Sequence, residues 1–255
     1  MSRSTTEFLT PPERIILPLL ELKGINAFYG AEQALENISL QVNEGEIVGL
    51  LGGDGSGKST LLKVILGLLR ARTGEVMLDG KAITLSSTKE ITRRGVVAVP
   101  DRKQIFPNLT IEENLGLGVD MHRGRSLVRE DLQRLYRLFP RLRDRRHQRA
   151  GMLNAGELEM LALGRALMSR PRLICIDEPT MGLATSCTRR LLDKIKQVNR
   201  LGVTILLVGQ NPDFVLNIAS KVYILQNGAL IAQDVVNALR DNHPALQRHT
   251  GQRSA

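Results

Sequence analysis

The stretch that decides the fold is GGDGSGKST, residues 52–60, whose G-x-x-x-x-G-K-S spacing is that of a phosphate-binding P-loop. The preceding residues, EIVGLL at 46–51, are mostly apolar and predict a short buried strand. The following residues, KSTLLKVILGLL at 58–69, carry apolar side chains at helical spacing. The motif requires this order of strand, glycine loop and helix. A glycine-rich turn that binds nothing is therefore disfavoured.

The predicted loop suits a polyphosphate for two reasons. Its glycines allow successive backbone N–H groups to curl around phosphate oxygens, and the amino terminus of the helix adds a partial positive charge. Lys58 is expected to reach the β- and γ-phosphates, and the Ser59 hydroxyl to complete the coordination shell of Mg²⁺. The predicted nucleotide-binding residues of the loop are Gly52, Gly53, Asp54, Gly55, Ser56, Gly57, Lys58, Ser59 and Thr60.

The length of 255 residues is enough for one α/β domain with a substantial core and an inserted subdomain. Apolar residues make up 42 %, which is ordinary for a soluble protein, and no apolar run approaches the roughly 18 residues that cross a bilayer. The first residues lack the apolar core of a signal peptide. The only cysteines, Cys175 and Cys187, provide neither a disulfide framework nor metal-ligand spacing. These features predict a protein of the reducing cytoplasm.

The net charge of +9 indicates a polyanionic partner, such as nucleic acid, anionic lipid or nucleotide phosphates. The densest basic cluster is RLRDRRHQR, residues 141–149, which has no interleaved aromatic side chain, and only 3 % of the chain is aromatic. A base-stacking platform is therefore not expected, and we predict no nucleic-acid partner. The cluster is interpreted as a solvated face or as a rim near a membrane.

The rest of the chain alternates short apolar runs with helical segments, which predicts a mostly parallel α/β sheet. A strand is expected from Leu19, with ALENISLQV at 34–42 as its antiparallel partner. Further strands are expected at 75–78, 96–99, 173–177 and 203–208. The predicted divisions are a loose extension at 1–18, one domain at 19–240 with an inserted helical subdomain near 107–169, and a polar tail at 241–255.

A pair of acids, Asp177 and Glu178, closes the buried run LICIDE. An acid at the end of a strand beside a P-loop suits a magnesium ligand, and we assign that role to Asp177. Its neighbour Glu178 can polarise an attacking water as a general base. Two acids at the end of a strand more often belong to a solvated loop, but the upstream P-loop favours the catalytic interpretation.

Over residues 19–228 the chain resembles the ATP-binding subunits of ABC transporters, and most of all one of the two ATPase subunits of branched-chain amino-acid importers. The resemblance rests on four phrases: VPDRKQIFPNLTIEENL, the long run that begins with YRLFPRL and ends with SRPRL, DEPTMGLA, and LLVGQN. It implies the α/β fold of a P-loop NTPase. In that fold an antiparallel amino-terminal β-subdomain and an inserted helical subdomain flank a mostly parallel core sheet.

The resemblance also implies roles for residues outside the P-loop. Tyr29 matches the aromatic residue that stacks on adenine, and Asp101 matches the Q-loop position that senses Mg²⁺ and touches the membrane subunits. LNAGE, residues 153–157, matches the signature that binds the γ-phosphate held by a second cassette. Gln210 matches the switch position, where this branch of the family commonly has glutamine. The predicted signature contacts are Asn154, Ala155, Gly156 and Glu157, and the predicted catalytic residues are Lys58, Glu178 and Gln210.

Several positions depart from the family pattern. Asn154 and Ala155 replace the serine and first glycine of the signature, although Asn154 and Glu157 can still form a capping box, worth roughly 1 kcal/mol to the helix start. Ala155 adds a methyl group where backbone approaches phosphate, and losing one phosphate donor typically costs about 1–3 kcal/mol. The other departures are Gly53 and Asp54 in the P-loop, the short Asp101, Ala184 in place of aspartate, and Gly209 in place of glutamate.

These residues and the resemblance predict the motor of an importer that binds ATP and Mg²⁺ between the P-loop of one cassette and the signature of another. ATP binding would close the dimer, and hydrolysis would reopen it. The motion would drive permease subunits that import amino acids, branched-chain ones or related amides, delivered by a periplasmic or extracellular solute-binding protein.

The chain is then expected at the cytoplasmic face of the cell membrane, paired with a paralogue or with itself. Two alternatives stay open. One is a nucleotide-responsive subunit with weak or no turnover, because the signature is altered. The other is a soluble ATPase that acts on nucleic acid, although such proteins usually carry two cassettes or long coiled-coil insertions.

Overall fold

The computed structural model describes residues 17–99, 104–119 and 124–235, which form two β-sheets with helices packed around them. The predicted polar tail and nearly all of the predicted loose extension lie outside the described residues. Within the described ranges, no helix combines the length and apolar character needed to span a bilayer.

The smaller sheet is antiparallel and has the strand order β2-β1-β4-β5. Its members are β1 (Leu20–Tyr29), β2 (Glu32–Val42), β4 (Thr73–Leu78) and β5 (Lys81–Ala82). The predicted pairing of the first two strands is confirmed, since Leu20 lies opposite Val42 and Tyr29 opposite Glu32. Side chains that alternate between buried and exposed along β1 turn one face of this sheet towards the core.

The larger sheet has six strands in the order β10-β9-β3-β8-β7-β6. They are β3 (Ile47–Leu51), β6 (Val96–Val99), β7 (Leu173–Asp177), β8 (Thr204–Gly209), β9 (Lys221–Gln226) and β10 (Ala229–Val235). Every neighbouring pair is parallel except the hairpin of β9 and β10. The predicted fold class, a mostly parallel core sheet with an antiparallel amino-terminal sheet and inserted helices, is confirmed.

Eight α-helices accompany the sheets in the described part of the chain. They are α1 (Lys58–Ile65), α2 (Thr88–Arg93), α3 (Ile111–Gly116), α4 (Arg125–Leu138), α5 (Pro140–Asp144), α6 (Ala155–Leu167), α7 (Thr185–Arg200) and α8 (Pro212–Leu216). Helices α3 to α6 lie between β6 and β7 in the chain, within the segment predicted as an insertion. The periodic pattern gives no expectation of α2, because six residues are too few to display a helical period.

The larger sheet separates two hydrophobic cores, because its strands are buried on both faces. On β3, Val48 and Leu50 point to the core shared with α1 and the antiparallel sheet. Ile47 and Leu51 point to the opposite core, shared with the helices that follow β6. Each fully buried side chain of this size contributes roughly 1.5–3 kcal/mol relative to exposure. The sheet is therefore held rigidly from both sides.

This topology brings the ends of three strands to one edge. Leu51 at the end of β3 pairs with Gly209 at the end of β8, and Val208 pairs with Asp177 at the end of β7. Ligands of open parallel sheets bind at the carboxyl ends of the strands. The P-loop, the LICIDE acids and the predicted switch residue all follow directly from these ends, so the candidate site lies there.

Candidate nucleotide-binding site

The P-loop connects β3 to α1, and two of its glycines are required by close backbone approach. A Cβ atom on Gly52 would lie 2.4 Å from the carbonyl oxygen of Leu225 and 2.5 Å from Ser56 Oγ. Gly57, the N-cap of α1, has a φ of +106°, and a Cβ there would lie 2.9 Å from a methyl group of Leu35. No other residue fits these positions without displacing the neighbouring strands.

The loop is supported from behind by the turn between β9 and β10. The N–H of Gly228 donates to the carbonyl oxygen of Ser56 at 3.0 Å, and the N–H of Glu36 donates to the carbonyl oxygen of Gly228 at 2.8 Å. The turn thus joins the P-loop to the antiparallel sheet. Ser56 Oγ is buried and has no hydrogen-bond partner among the described residues, as expected of a loop shaped to receive an oxygen-rich ligand.

Lys58 is the first residue of α1, and its side chain is buried within the loop. Its ammonium group donates to the carbonyl oxygens of Gly52 at 2.9 Å and Gly53 at 2.8 Å, and Glu178 Oε1 lies 3.6 Å away. These partners satisfy the buried charge of the ammonium group. Phosphate oxygens entering the loop can take over such donors, because they accept the same charge-assisted hydrogen bonds.

Ser59 and Asp177 form an oxygen pair at the next position along the sheet edge. The Ser59 hydroxyl donates to Asp177 Oδ2 at 3.4 Å. One hydroxyl and one carboxylate oxygen beside a polyphosphate are ligands of the type that Mg²⁺ prefers, directly or through bound water. The residues present therefore fit the predicted magnesium site, whereas Asp101, the third predicted ligand, lies outside the described residues.

Glu178 has a strained backbone, with a φ of +44°. Its Oε2 atom accepts the backbone N–H of Gln210 at 3.2 Å, and its Oε1 atom faces Lys58. Burial raises the pKa of Glu178 above its usual range, although the Lys58 charge opposes this shift. A carboxylate whose proton affinity is raised in this way is a stronger general base than an exposed one.

Gln210 follows β8 and makes two contacts in the site. Besides its backbone contact with Glu178, its side-chain amide donates to Asp54 Oδ1 in the P-loop. The structure therefore brings the three predicted catalytic residues, Lys58, Glu178 and Gln210, into one cluster. The Asp54 contact is one that sequence reasoning missed, because nothing in the local spacing relates two residues 156 positions apart.

Tyr29 ends β1, and its ring is 44 % exposed beside α1. Lys63 Nζ lies 3.2 Å from its hydroxyl oxygen and 5.4 Å from the ring centroid. Hydrogen bonds from Thr60 and then Lys63 lower the pKa of this phenol. Thr60, predicted as a nucleotide contact, is thus also a support for the ring. The ring presents an open surface on which a base can stack, and the two α1 residues set its orientation.

The signature residues begin α6, away from β3 and α1 in the chain. The predicted capping box is confirmed: Asn154 Oδ1 accepts the N–H of Glu157 at 3.0 Å, and Glu157 Oε2 accepts the N–H of Asn154 at 3.1 Å. The other carboxylate oxygen of Glu157 binds Arg145 at 2.7 Å. A Cβ on Gly156 would lie 3.0 Å from Cys187 Sγ, so that this glycine lets α6 pack against α7.

Comparison with known proteins identifies the protein family to which the chain belongs. The family model of the ABC transporter matches residues 35–181, and the chain belongs to this family. It is 37 % identical over 91 % of its length to the high-affinity branched-chain amino acid transport ATP-binding protein BraG of Pseudomonas aeruginosa, all of which is covered. It is 30 % identical over 89 % of its length to the probable branched-chain amino acid transport ATP-binding protein LivG of Methanocaldococcus jannaschii, of which 96 % is covered.

Solved structures agree with this family. A nucleotide-free ATP-binding cassette from an ABC transporter superposes with a TM-score of 0.84 at 26 % identity, covering 93 % of this chain and all of the other. The ADP conformation of MJ1267, another ATP-binding cassette, gives a TM-score of 0.82 at 26 % identity, with 92 % and 100 % coverage. The chain is an ATP-binding and ATP-hydrolysing cassette of the ABC transporter family.

Proposed function

We propose that this chain hydrolyses ATP to power an importer of branched-chain amino acids or related amides. The observation that carries the proposal is the cluster at the sheet edge, where Lys58 lies between the P-loop carbonyls and Glu178. The solute class is supported by the names of the relatives, among them BraG and two proteins described as probable LivG and LivF. The altered signature alone favours a degenerate subunit, but the complete Lys58 cluster favours turnover.

In the proposed reaction, Lys58 leaves the P-loop carbonyls and binds the β- and γ-phosphates, while the loop amides hold the phosphate chain. Ser59 and Asp177 would hold Mg²⁺, which neutralises the charge that develops on the phosphoryl group. Asp101 is proposed as a further contact to the metal on the strength of the family resemblance. Tyr29 would carry the adenine ring, because its exposed face is oriented by Thr60 and Lys63.

Glu178 is proposed to orient and deprotonate the attacking water. Its burial strengthens it as a base, and its hydrogen bond with the Gln210 N–H holds one oxygen in place. Gln210 would place its side-chain amide beside the γ-phosphate. The strained backbone at Glu178 supports this assignment, because residues with such strain cluster at active sites.

A second cassette is proposed to complete the site with its own signature, while residues 154–157 of this chain serve the partner's nucleotide. Asn154 keeps its side-chain oxygen in the helix cap, so its amide N–H₂ group is the donor left to reach phosphate. A dimeric structure of the cassette MJ0796 bound to ADP and Pi, 25 % identical with a TM-score of 0.74, supports the pairing of two cassettes.

Permease subunits are proposed to dock over the cleft between the core sheet and the helices that follow β6. This cleft of about 720 Å³ contains Ser59, Asp177 and Glu178, and its rim carries exposed apolar side chains. Those side chains are Leu68, Leu117 and Met181. A partner seated there would sense the nucleotide site directly. Such docking would place the chain on the cytoplasmic face of the membrane, with a solute-binding protein on the other side.

The test is ATP hydrolysis and leucine uptake in proteoliposomes that contain the chain, its permease, its second cassette and its binding protein. Leu117→Glu should reduce the hydrolysis stimulated by leucine, because it places a charge on the proposed docking rim. Leu201→Glu is the matched control, since Leu201 is similarly exposed but does not line the cleft. Uptake that proceeds without ATP, or equal effects of the two variants, would refute the proposal.

A further inference from the structure

The contact between Asp54 and Gln210 is not accounted for by the proposed function. Gln210 is held at both ends: its backbone N–H donates to Glu178 Oε2 at 3.2 Å, and its side-chain amide donates to Asp54 Oδ1. The only side-chain acceptor that the structure gives to this amide among the described residues is thus an acid of the P-loop itself. A residue proposed to act at the γ-phosphate is therefore hydrogen-bonded to the phosphate-binding loop itself.

Asp54 belongs to the loop that is proposed to hold the phosphate chain. It is exposed, and it follows Gly53, whose carbonyl oxygen accepts from Lys58 Nζ at 2.8 Å. The next residue, Gly55, has a φ of +73° and open space around its Cβ position, so the loop turns towards solvent here. A carboxylate at this position competes with phosphate oxygens for the same hydrogen-bond donors and repels their charge.

We propose that Asp54 is a positioning residue for Gln210, which it holds against the P-loop until the γ-phosphate of ATP displaces it. The inference rests on the proposed function, because it assigns Gln210 to the γ-phosphate. ATP must replace the Asp54 carboxylate as the partner of the Gln210 amide, whereas ADP lacks the group that would do so. Asp54 therefore opposes ATP binding more strongly than ADP binding, and it does so chiefly through Gln210.

Two substitutions of Asp54 separate its charge from its hydrogen bond. Asp54→Asn removes the negative charge but keeps an acceptor oxygen for the Gln210 amide, whereas Asp54→Ala removes both. We expect Asp54→Ala to tighten binding of ATPγS, a slowly hydrolysed ATP analogue, about tenfold and binding of ADP less than about threefold. Asp54→Asn should fall between wild type and Asp54→Ala. Asp144→Asn, a neutralised acid on the exposed surface, is the control and should change neither affinity.

A double-mutant cycle identifies the route through Gln210. In a Gln210→Ala background, Asp54→Ala should tighten ATPγS binding no more than Asp54→Asn does in the wild-type background, because only the charge is then left to remove. In the assembled transporter, Asp54→Ala should lower the KM for ATP, because the Gln210 amide then no longer has to leave the Asp54 carboxylate. A purely structural role for Asp54 would lower kcat and thermal stability instead.

The outcomes distinguish this inference from the function on which it rests. Weaker ATPγS binding by Asp54→Ala, or an equal gain in the presence and absence of Gln210, would overturn the positioning role alone. Lys58→Ala measured in the same titration reports on the proposed function: unchanged nucleotide affinity in that variant would overturn the site itself. A gain in affinity that depends on Gln210, in a chain whose binding depends on Lys58, is the predicted result.

Discussion

The P-loop and the signature loop differ in how many of the residues expected of each motif this chain retains. The P-loop region keeps the residues that phosphate binding requires, and its charged groups contact one another: Lys58 is satisfied by backbone carbonyls and Glu178. The LNAGE loop retains the hydrogen bonds of a helix start between Asn154 and Glu157, whereas Asn154 and Ala155 stand where the family pattern has serine and glycine. A helix cap tolerates Asn in place of Ser, since both are strong N-cap residues, whereas a contact with phosphate depends on the length of the side chain.

This contrast predicts that the two loops contribute unequally to ATP turnover. The P-loop of this chain, with Asp177 and Glu178, is proposed to form the hydrolytic half of one composite site. In the proposed dimer, the LNAGE loop would present a longer amide at Asn154 and an added methyl group at Ala155 to the nucleotide of the partner.

The largest effect is expected from Lys58→Ala. This change removes the ammonium group that would bind the β- and γ-phosphates, and charge-assisted hydrogen bonds of this kind contribute about 1.5–3 kcal/mol each. ATP affinity in the presence of Mg²⁺ should fall by at least about tenfold, measured by calorimetry. Lys81→Ala, at an exposed strand position, is the control and should bind ATP normally. Normal ATP binding by Lys58→Ala would indicate that the nucleotide binds outside the P-loop.

Restoring the signature should have the next largest effect. In a Glu178→Gln chain, which is expected to trap ATP, the double change Asn154→Ser with Ala155→Gly should tighten ATP-dependent dimerisation about tenfold. This gain corresponds to one recovered phosphate donor. Sedimentation velocity with and without ATP measures the change.

The helix cap provides the control for this prediction. Serine preserves the cap at position 154, so the reverted chain should melt at nearly the same temperature as its parent. Asn154→Ala should instead lower stability by about 1 kcal/mol through loss of the cap. Equal dimerisation before and after the reversion would indicate that LNAGE already binds phosphate adequately.

A smaller effect is expected at Tyr29. Tyr29→Ala should weaken ATP binding by roughly 1–3 kcal/mol, the usual contribution of one stacked base. Tyr29→Phe should reduce affinity less than about threefold, because stacking uses the face of the ring. The hydroxyl contributes only by orienting the ring through its contacts with Lys63 and Thr60. A fluorescent adenine nucleotide provides the measurement. A large loss in the Phe variant would indicate that the hydroxyl itself binds the nucleotide.

The smallest effect concerns the stability of the nucleotide-free chain. Burial raises the pKa of Glu178 in the folded state, so that the folded chain holds this proton more tightly than the unfolded chain does. Stability is therefore lost as the pH rises from the ordinary glutamate range through the raised pKa. Glu178→Gln should melt at a higher temperature than wild type at pH 7 to 8, and the gap should narrow towards pH 4.5. A gap that widens on acidification would contradict the direction of this shift.

Much of the fold was predictable because its signals are local. The P-loop spacing, the apolar strands on either side of it and the capping pair at Asn154 all lie within a few residues of the elements that they define. Helix α2 left a signal as well, since the hydroxyl of Ser87 caps Glu90 in a box that the sequence spells out as STKE. Helix α2 was not predicted from periodicity because its six residues are too few to show a helical period.

The contacts within the site were less predictable, because they join residues that are distant in the chain. The meeting of Lys58 with Glu178 depends on the strand order, which places β8 between β3 and β7. The hydrogen bond between Gln210 and Asp54 depends on side-chain conformations that no spacing encodes. Asp101 lies outside the described residues, so its role as a magnesium contact stays a prediction.

The most direct test of this inequality compares the two composite ATP sites in one assembled transporter. The measurement is steady-state ATP hydrolysis after Glu178→Gln in this chain and, separately, after the matching change in a second cassette that carries an intact signature. The site that uses Glu178 is completed by the partner's intact signature, whereas the other site is completed by the LNAGE loop. A loss of about 1.4 kcal/mol of transition-state stabilisation at the LNAGE loop slows hydrolysis tenfold, so the site that uses Glu178 should dominate. We predict that Glu178→Gln abolishes most of the activity and that the partner's change costs much less. Equal losses, or a mild effect of Glu178→Gln, would contradict the account.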